Sequence, residues 1–394
     1  MRVLTYVGVL VAILASGPAF ADCIEVGNKC VETDAKELEL RLDENSPTLD
    51  IVRSFPALTK LKVLALLRFR DKVDLEPLKS LQSLEHLSLH SVNIASLEPL
   101  EQLGDLKHLS LWRSTIPDIA RVNSLTNLTT LNLRGIDGLR ELLVSALQNL
   151  ERIVIADTDI TDLTPLKNLD HLRFAEIFNT DVSDLTPLAG RPLEVLWMSN
   201  TKVQSLEPIA GNTTLKRLHI DGSLVRSLAG VEEAADLAEI YADKSSLQDI
   251  SALAGNTSLQ KLEMHASSVA DLSPLARATG LRELGMNETR ITDISPLAGL
   301  TNLRDLKFKS TRVSDISALN GLTQLTILTL PQNPMDLGVL ADLDKVYVLR
   351  APDLPEVDLS PVLAMEALRM FYPGTARHSM RKRDEIEAYI TSRN

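Results

Sequence analysis

Three histidines are the first side chains whose type and spacing suggest metal chemistry. His86 and His90 lie four residues apart, and His108 follows further along the chain. Four residues of an extended strand span about 13 Å, which is too far for the three imidazoles to share one tetrahedral site. We therefore predict that these histidines face a binding partner, and that the chain holds no metal ion and no other cofactor.

Aspartates that recur at one place in a repeated segment could similarly suggest calcium. They are Asp118, Asp162, Asp184, Asp249, Asp271, Asp293 and Asp315. Each stands just before an expected turn, where a carboxylate accepts hydrogen bonds from nearby backbone amides. We therefore predict a structural role for this column of aspartates.

Catalytic chemistry has no support in the sequence. The chain contains no G-x-S-x-G, no H-E-x-x-H, no phosphate-binding loop and no third cysteine that could act as a nucleophile. Its formal net charge is -12, and no long basic stripe is present, whereas nucleic-acid binders present a basic face. These observations argue against an enzyme and against a nucleic-acid partner.

The N-terminal segment 1–21 has the pattern of a secretory signal peptide. Arg2 precedes an apolar run over positions 3–15, and an A-x-A sequence ends at Ala21. This run is shorter than the ~20 residues that a membrane-spanning helix needs, and no later apolar run is longer. We predict an exported protein, located outside the cell, in the periplasm or in the cell envelope.

The only two cysteines, Cys23 and Cys30, follow directly after the predicted cleavage site. In an oxidising compartment an isolated local pair is typical of one structural disulfide. We therefore predict that Cys23 and Cys30 are joined within an N-terminal cap.

The elements that position these side chains come from a repeat of 22 residues, with a step of 21 between Leu172 and Leu193 and weaker copies at Leu61 and Leu325. Its units begin at Leu61, Leu84, Leu106, Leu128, Leu150, Leu172, Leu193, Leu215, Leu237, Leu259, Leu281, Leu303 and Leu325. Each unit starts with L-x-x-L-x-L, whose alternation predicts a short strand. A Ser or Thr before Pro then predicts the N-cap of a helical turn. The stretch 331–355 departs from this frame.

The repeat resembles the leucine-rich-repeat superfamily, in particular its 22-residue internalin-like class. The resemblance implies an α/β solenoid: a curved right-handed coil of about thirteen repeats, with a parallel sheet on the concave side and short helical turns on the convex side. We predict a signal peptide over 1–21, an N-terminal cap over 22–56, repeats over 57–350 and a C-terminal cap over 351–394.

The frame also assigns side chains to the outward, concave positions of the strands. The predicted partner-binding residues are Phe174, Phe178, Trp197, His219, Tyr241, His265, Trp112, His86, His90 and His108. Aromatic groups exposed together on one face commonly form the centre of a binding surface. We predict a non-catalytic protein-binding module. The alternative is a binder of glycan or peptidoglycan, in which the aromatic groups would stack on sugar rings.

Overall fold

The computed structural model describes residues 23–26, 29–32, 34–41, 58, 60–68, 72–374 and 376–393. The predicted signal peptide over 1–21 lies outside these residues. The chain forms two compact units, Met1–Asp181 and Val182–Asn394. Each unit is described separately.

The first unit contains a hairpin and a parallel sheet. Its strands are β1 (Cys23–Val26), β2 (Lys29–Glu32), β3 (Glu37–Arg41), β4 (Val63–Leu67), β5 (Lys72–Val73), β6 (His86–His90), β7 (Asn93–Ile94), β8 (His108–Ser110), β9 (Thr130–Asn132), β10 (Arg152–Val154) and β11 (Phe174–Glu176). Strands β3, β4, β6, β8, β9, β10 and β11 pair in this order, all parallel. Short 3₁₀ helices cover Glu76–Ser80, Glu98–Gln102, Ile119–Ser124 and Thr164–Leu166.

The second unit continues the same pattern. Its strands are β12 (Val195–Trp197), β13 (Arg217–His219), β14 (Glu239–Tyr241), β15 (Lys261–Glu263), β16 (Glu283–Gly285), β17 (Asp305–Lys307), β18 (Ile327–Thr329), β19 (Val348–Ala351) and β20 (Met370–Pro373). They pair in sequence order, all parallel. The 3₁₀ helices are Thr186–Leu188, Glu207–Ile209, Ser251–Leu253, Ser273–Arg277, Ser295–Leu297, Ser317–Leu319, Gly338–Asp342 and Ser360–Ala364, and one α-helix, α1, spans Arg383–Thr391.

The core is formed by the Leu and Ile positions of the repeat. In the coil that begins at Leu281, the side chains of Leu281, Leu284 and Met286 are all buried. Leu284 lies in register with Leu262 and Leu306 on the two neighbouring strands. Each coil therefore buries its apolar face against the next coil, as the repeat predicts.

The Ser and Thr residues that recur after β8 and after β10 to β17 are buried where the chain turns. Thr158 Oγ1 donates to the carbonyl of Ile155 at 2.6 Å, and Thr289 Oγ1 donates to that of Met286 at 2.7 Å. The hydroxyl group thus satisfies a carbonyl that the bend leaves without a backbone partner.

The aspartate column caps the 3₁₀ helices. Asp162 Oδ1 accepts from the backbone N–H of Thr164 at 2.8 Å, and Asp271 Oδ1 accepts from that of Ser273 at 2.8 Å. Asp184, Asp249, Asp293 and Asp315 make the same bond. The structural role predicted for these six carboxylates is confirmed. Asp118 differs, because it accepts from Leu97 N of the preceding coil.

The prediction that Ser or Thr before Pro is the N-cap is wrong. The residue at the N-cap is Leu163 or its equivalent, and Thr164 is already inside the turn. The acceptor instead comes from Asp162, two residues before Thr164. A carboxylate offers two acceptor oxygens with negative charge, so it suits this position near the positive end of the turn.

The parallel pairing continues past residue 350, the predicted end of the repeats, which falls inside β19. Strand β19 pairs with β18, and β20 pairs with β19, although the stretch 331–355 departs from the Leu pattern. Helix α1 then packs Ile386 and Ile390 into the end of the coil, and Tyr389 Oη donates to Asp353 Oδ2 at 2.6 Å. The division of the chain into repeats and caps stays a prediction.

Candidate protein-binding surface

Three residues of each coil face away from the core. In the coil that begins at Leu215 these are Arg217, His219 and Asp221, which we call the first, middle and last outward positions. Because the strands pair in register, equivalent positions of successive coils form columns across the sheet. Adjacent strands of a sheet lie about 4.8 Å apart, so side chains within one column can touch.

Three rings of the second unit stack within the middle column, and we call Trp197, His219 and Tyr241 the aromatic strip. The ring centroids of Trp197 and His219 are 4.9 Å apart with an interplanar angle of 28°. Those of His219 and Tyr241 are 4.3 Å apart at 8°. Lys261 Nζ lies 5.3 Å from the Tyr241 centroid. The faces of His219 and Tyr241 are therefore covered by their neighbours, and these two rings can present only their edges.

The last outward column of the second unit forms a ladder of hydrogen bonds. Each side chain accepts from the backbone N–H of the same position one coil later: Asp221 from Asp243 at 3.1 Å, Asp243 from His265 at 2.8 Å, His265 from Asn287 at 2.9 Å and Asn287 from Lys309 at 2.7 Å. Trp197 Nε1 donates to Ser199 Oγ at 3.1 Å, and Ser199 Oγ donates to Asp221 Oδ2 at 2.9 Å. The aromatic strip is thus attached to this ladder.

One group in the described part of the chain has the composition of a metal site. Ligand atoms of Asp243, Glu263 and His265 all lie within 4.8 Å of one another. However, His265 Nδ1 accepts the N–H of Asn287, so the proton of the neutral ring is on Nε2, the nitrogen that faces Glu263. A metal-binding imidazole needs that nitrogen unprotonated, and normally donates from its other one. The group does not fit a metal ion.

In the first unit four of the predicted residues form two separate pairs. The rings of His86 and His108 stack with centroids 4.0 Å apart at 6°, in the first outward column. His90 and Trp112 meet edge to face at 5.4 Å, in the last column, and Ser110 Oγ lies 3.0 Å from His90 Nε2. His90 therefore does not join the other two histidines, as the spacing predicts.

Phe174 and Phe178 each lie beneath an arginine. The guanidinium of Arg152 lies 4.2 Å from the centre of the Phe174 ring, and that of Arg134 lies 4.8 Å from the centre of the Phe178 ring. Phe178 is only 6% exposed, so the expectation that its ring is open to solvent is wrong. Arg134 is held over the ring by a 2.6 Å ion pair with Asp157, and sequence spacing does not reveal such a cover.

Burial keeps most of these histidines neutral. It lowers the pKa of His86, His90 and His219, and burial together with the adjacent His86 lowers the pKa of His108 to about 4. His265 differs, because the Glu263 carboxylate raises the pKa of its ring.

We expect the stability of the first unit to fall in mild acid because of His108. The unfolded chain takes up this proton below its ordinary pKa of about 6.5, whereas the folded ring does so only near 4. Between these values the unfolded state binds more protons, so the free energy of unfolding decreases as pH falls from about 6.5 to 4.

Urea denaturation at pH 7 and pH 4.5 measures this effect. His108→Phe retains a ring in the stack and removes the titration, so it should lose less stability on acidification than the parent. His171→Asn, at an exposed histidine, is the control and should behave as the parent does. Identical pH dependence in parent and His108→Phe would contradict the assignment.

Sequence reasoning did not predict the contacts that organise this surface. The four acceptors of the ladder, the link to Trp197 through Ser199 and the arginines over the phenylalanine rings became evident only in the structure. The recurrence of short polar acceptors at the last outward position was a usable signal. The positions of the arginines over the phenylalanine rings could not be predicted from the sequence, because they depend on side-chain conformations across two coils.

Comparison with known proteins agrees with this geometry. Residues 279–321 match the family model described as Leucine Rich repeats (2 copies). Each unit folds as a leucine-rich-repeat solenoid. The fold is similar to that of a solved internalin, in agreement with the resemblance of the 22-residue repeat to the internalin-like class. No curated protein sequence matches the chain.

Two similar solved structures are bacterial leucine-rich-repeat proteins. An internalin (inlF) from Listeria monocytogenes is 24% identical, with a TM-score of 0.64, and the match covers 82% of this chain and 89% of that one. The leucine-rich-repeat protein LIC12759 from Leptospira interrogans is 18% identical, with a TM-score of 0.68 and coverage of 91% and 89%. At these identities the likeness shows the fold, and it does not assign a ligand. None of the helices among the described residues is long and apolar enough to cross a membrane.

Proposed function

We propose that this chain is an exported, non-catalytic protein-binding module that uses the outward face of its parallel sheet. The observation that carries the proposal is the aromatic strip of Trp197, His219 and Tyr241. Its rings are half-buried, packed on one another and fixed at one end by the Trp197–Ser199–Asp221 hydrogen bonds. A fixed ring loses little conformational entropy when a partner binds, which favours affinity.

The orientation of the rings favours a protein partner over a glycan. Sugar rings stack on open aromatic faces, but both faces of His219 are covered by Trp197 and Tyr241. His219 and Tyr241 instead offer ring edges, which carry partial positive charge and contact carbonyl oxygens and the faces of other rings. Ion pairs such as Lys261–Glu283 and Lys307–Asp305 flank it and add the polar border usual around such a centre.

Proteins of similar fold bind different ligands. A plant peptide hormone receptor, RGFR1, was solved in complex with RGF2, with 16% identity and a TM-score of 0.56. A TLR13 structure holds a single-stranded RNA, with 15% identity and a TM-score of 0.55. The charge of this chain, -12, opposes RNA binding because phosphate contacts need a cationic surface, so a protein or peptide remains the favoured partner.

Export is part of the proposal and rests on the N-terminal sequence. Strands β1 and β2 pair antiparallel, with Cys23 opposite Glu32 and Cys30 opposite Glu25. This backbone arrangement brings the two cysteines onto neighbouring strands. The disulfide between Cys23 and Cys30 stays a prediction.

Truncation of the strip tests the proposal. The chain without residues 1–21 would capture a partner from extracellular or envelope extracts, and the purified partner would be titrated by calorimetry. Trp197→Ala should weaken binding about 30-fold or more, because central anchor rings commonly contribute about 2 kcal/mol or more. Tyr241→Ala should act in the same direction.

Tyr347→Ala is a matched control, since Tyr347 is 40% exposed and lies just before β19, outside the three outward columns. It should leave affinity unchanged, and circular dichroism should remain native in all variants. Parent-like affinity in both strip variants would place the binding surface elsewhere. Binding to purified peptidoglycan, lost in the same variants, would favour the glycan alternative.

A further inference from the structure

The hydrogen-bond ladder contains one member whose accepting atom can gain a proton near neutral pH. Its acceptors are Asp221, Asp243, His265 and Asn287, in four successive coils. A carboxyl group keeps an accepting oxygen even when it is protonated, and the Asn287 amide does not titrate. Only the imidazole of His265 can exchange its acceptor lone pair for a proton under mild conditions.

Both ring nitrogens of His265 are engaged. Nδ1 accepts the backbone N–H of Asn287 at 2.9 Å, and Nε2 lies 2.9 Å from Glu263 Oε2. The next strand makes room for this arrangement because its middle outward residue is Gly285, where any Cβ would collide with Glu263 Oε2 and the His265 ring. Glu263 Oε2 and the His265 ring therefore occupy the space that a side chain at position 285 would fill.

We propose that His265 is a pH-sensitive member of the ladder. Protonation of its Nδ1 breaks the hydrogen bond from Asn287 and loosens the end of β16. The added proton turns Nδ1 from acceptor to donor, and two donors, Nδ1–H and Asn287 N–H, then face each other. The imidazolium keeps its ion pair with Glu263 through Nε2–H. In acid, this edge of the sheet presents an amide N–H without its intramolecular acceptor.

The charges around the ring determine the pH range in which His265 takes up its proton. Glu263 on the same strand and Asp243 on the preceding coil favour the imidazolium, and Lys307, two strands further on, opposes it. Lys261 contacts Glu263 Oε1 at 3.3 Å and shares its positive charge with Glu283. The carboxylates prevail and raise the pKa of His265, whereas loss of the Asn287 bond works in the opposite direction. The neighbouring carboxylates therefore shift the protonation of His265 to higher pH than that of an isolated imidazole.

Hydrogen exchange on the free protein tests this inference without any partner, so its failure and the failure of the proposed function are distinguishable. Exchange would be followed by mass spectrometry between pH 8 and pH 5 and corrected for the intrinsic rate. Protection of the Asn287 amide should fall roughly three- to tenfold at the acidic end, as expected for loss of one hydrogen bond. The Lys309 amide, which donates to the non-titrating Asn287 Oδ1, should keep its protection.

His265→Asn is the matched variant, because Asn287 already shows that an asparagine at this position accepts the next N–H. It should retain protection of the Asn287 amide at pH 8 and lose the pH dependence. The parent protein alone also tests the proposal, because the Asn287 amide should lose protection in acid while the Lys309 amide keeps it. Equal behaviour of these two amides in the parent, or an unchanged pH dependence in His265→Asn, would overturn the proposal.

Discussion

Leu284→Ala is expected to lower the free energy of unfolding by about 2–5 kcal/mol, the range for truncation of a fully buried leucine. Leu284 is 1% exposed at the centre of β16 and lies between Leu262 and Leu306 of the adjacent strands. Removing its side chain leaves a cavity that both neighbouring coils line. Each coil is stabilised mainly by its neighbours, so the loss affects contacts on both sides. Urea denaturation followed by circular dichroism measures the change.

Glu283→Ala, one residue earlier, is the control. Glu283 faces outward with 45% of its side chain exposed, and its 2.6 Å ion pair with Lys261 is open to water. Exposed ion pairs contribute little, so the change in stability should be about 0.5 kcal/mol or less. Comparable losses in the two variants would show that the inward and outward positions have been assigned incorrectly.

The inward and outward assignment is the part of the fold that the sequence predicted well. Leucine that recurs at the same positions of every repeat leaves one solution for the core, because strand side chains alternate and every coil must cover the next. The coil around β19 spans the predicted end of the repeats, and the coil around β20 lies beyond it. Their first core residues are Val346 and Leu368, and the irregular stretch 331–355 interrupts the Leu pattern between Leu325 and Leu368.

Local hydrogen bonds were harder to predict than the core. Both Asp162 and Thr164 are good capping residues, and the sequence does not say which of them the backbone turn brings to the free N–H groups. The choice depends on where the 3₁₀ helix starts: with Leu163 at the N-cap, Thr164 lies inside the turn and Asp162 lies before it. The recurrent aspartate was correctly interpreted as structural, although its function as the cap was assigned to the wrong neighbour.

On the candidate surface, the orientation of the side chains was also harder to predict than the face on which they lie. Alternation placed Trp197, His219 and Tyr241 on the outward face, but ring orientation depends on contacts between successive coils. Stacking at 4.3 Å turns the edges of His219 and Tyr241 outward, and an arginine over Phe178 buries a ring expected to be exposed. The repeat determines which outward column a residue belongs to. The exposure of its side chain depends on the side chains of the neighbouring coils.

Gly230→Ala is expected to destabilise the second unit by about 3 kcal/mol or more, because two effects act together. Gly230 stands where other repeats have the proline of the helical turn, as in Pro208 and Pro274. Its φ is +110°, a conformation that side chains rarely adopt. An added Cβ would also lie 2.6 Å from the carbonyl carbon of Leu206 and 2.9 Å from Glu207 N. These are backbone atoms of the preceding coil, so the clash cannot be relieved by a side-chain rotation.

Gly211→Ala separates the two effects. Gly211 also has a positive φ, +82°, but a Cβ there would meet nothing within 4 Å. It should therefore show only the conformational cost of about 1–2 kcal/mol. Urea titrations of both variants give the difference, which measures how closely the coil at Gly230 approaches the coil before it. If the two substitutions lower the free energy of unfolding equally, the two coils have room to separate at this point. The close approach of the coils would then not explain why this repeat has glycine at the position of the proline.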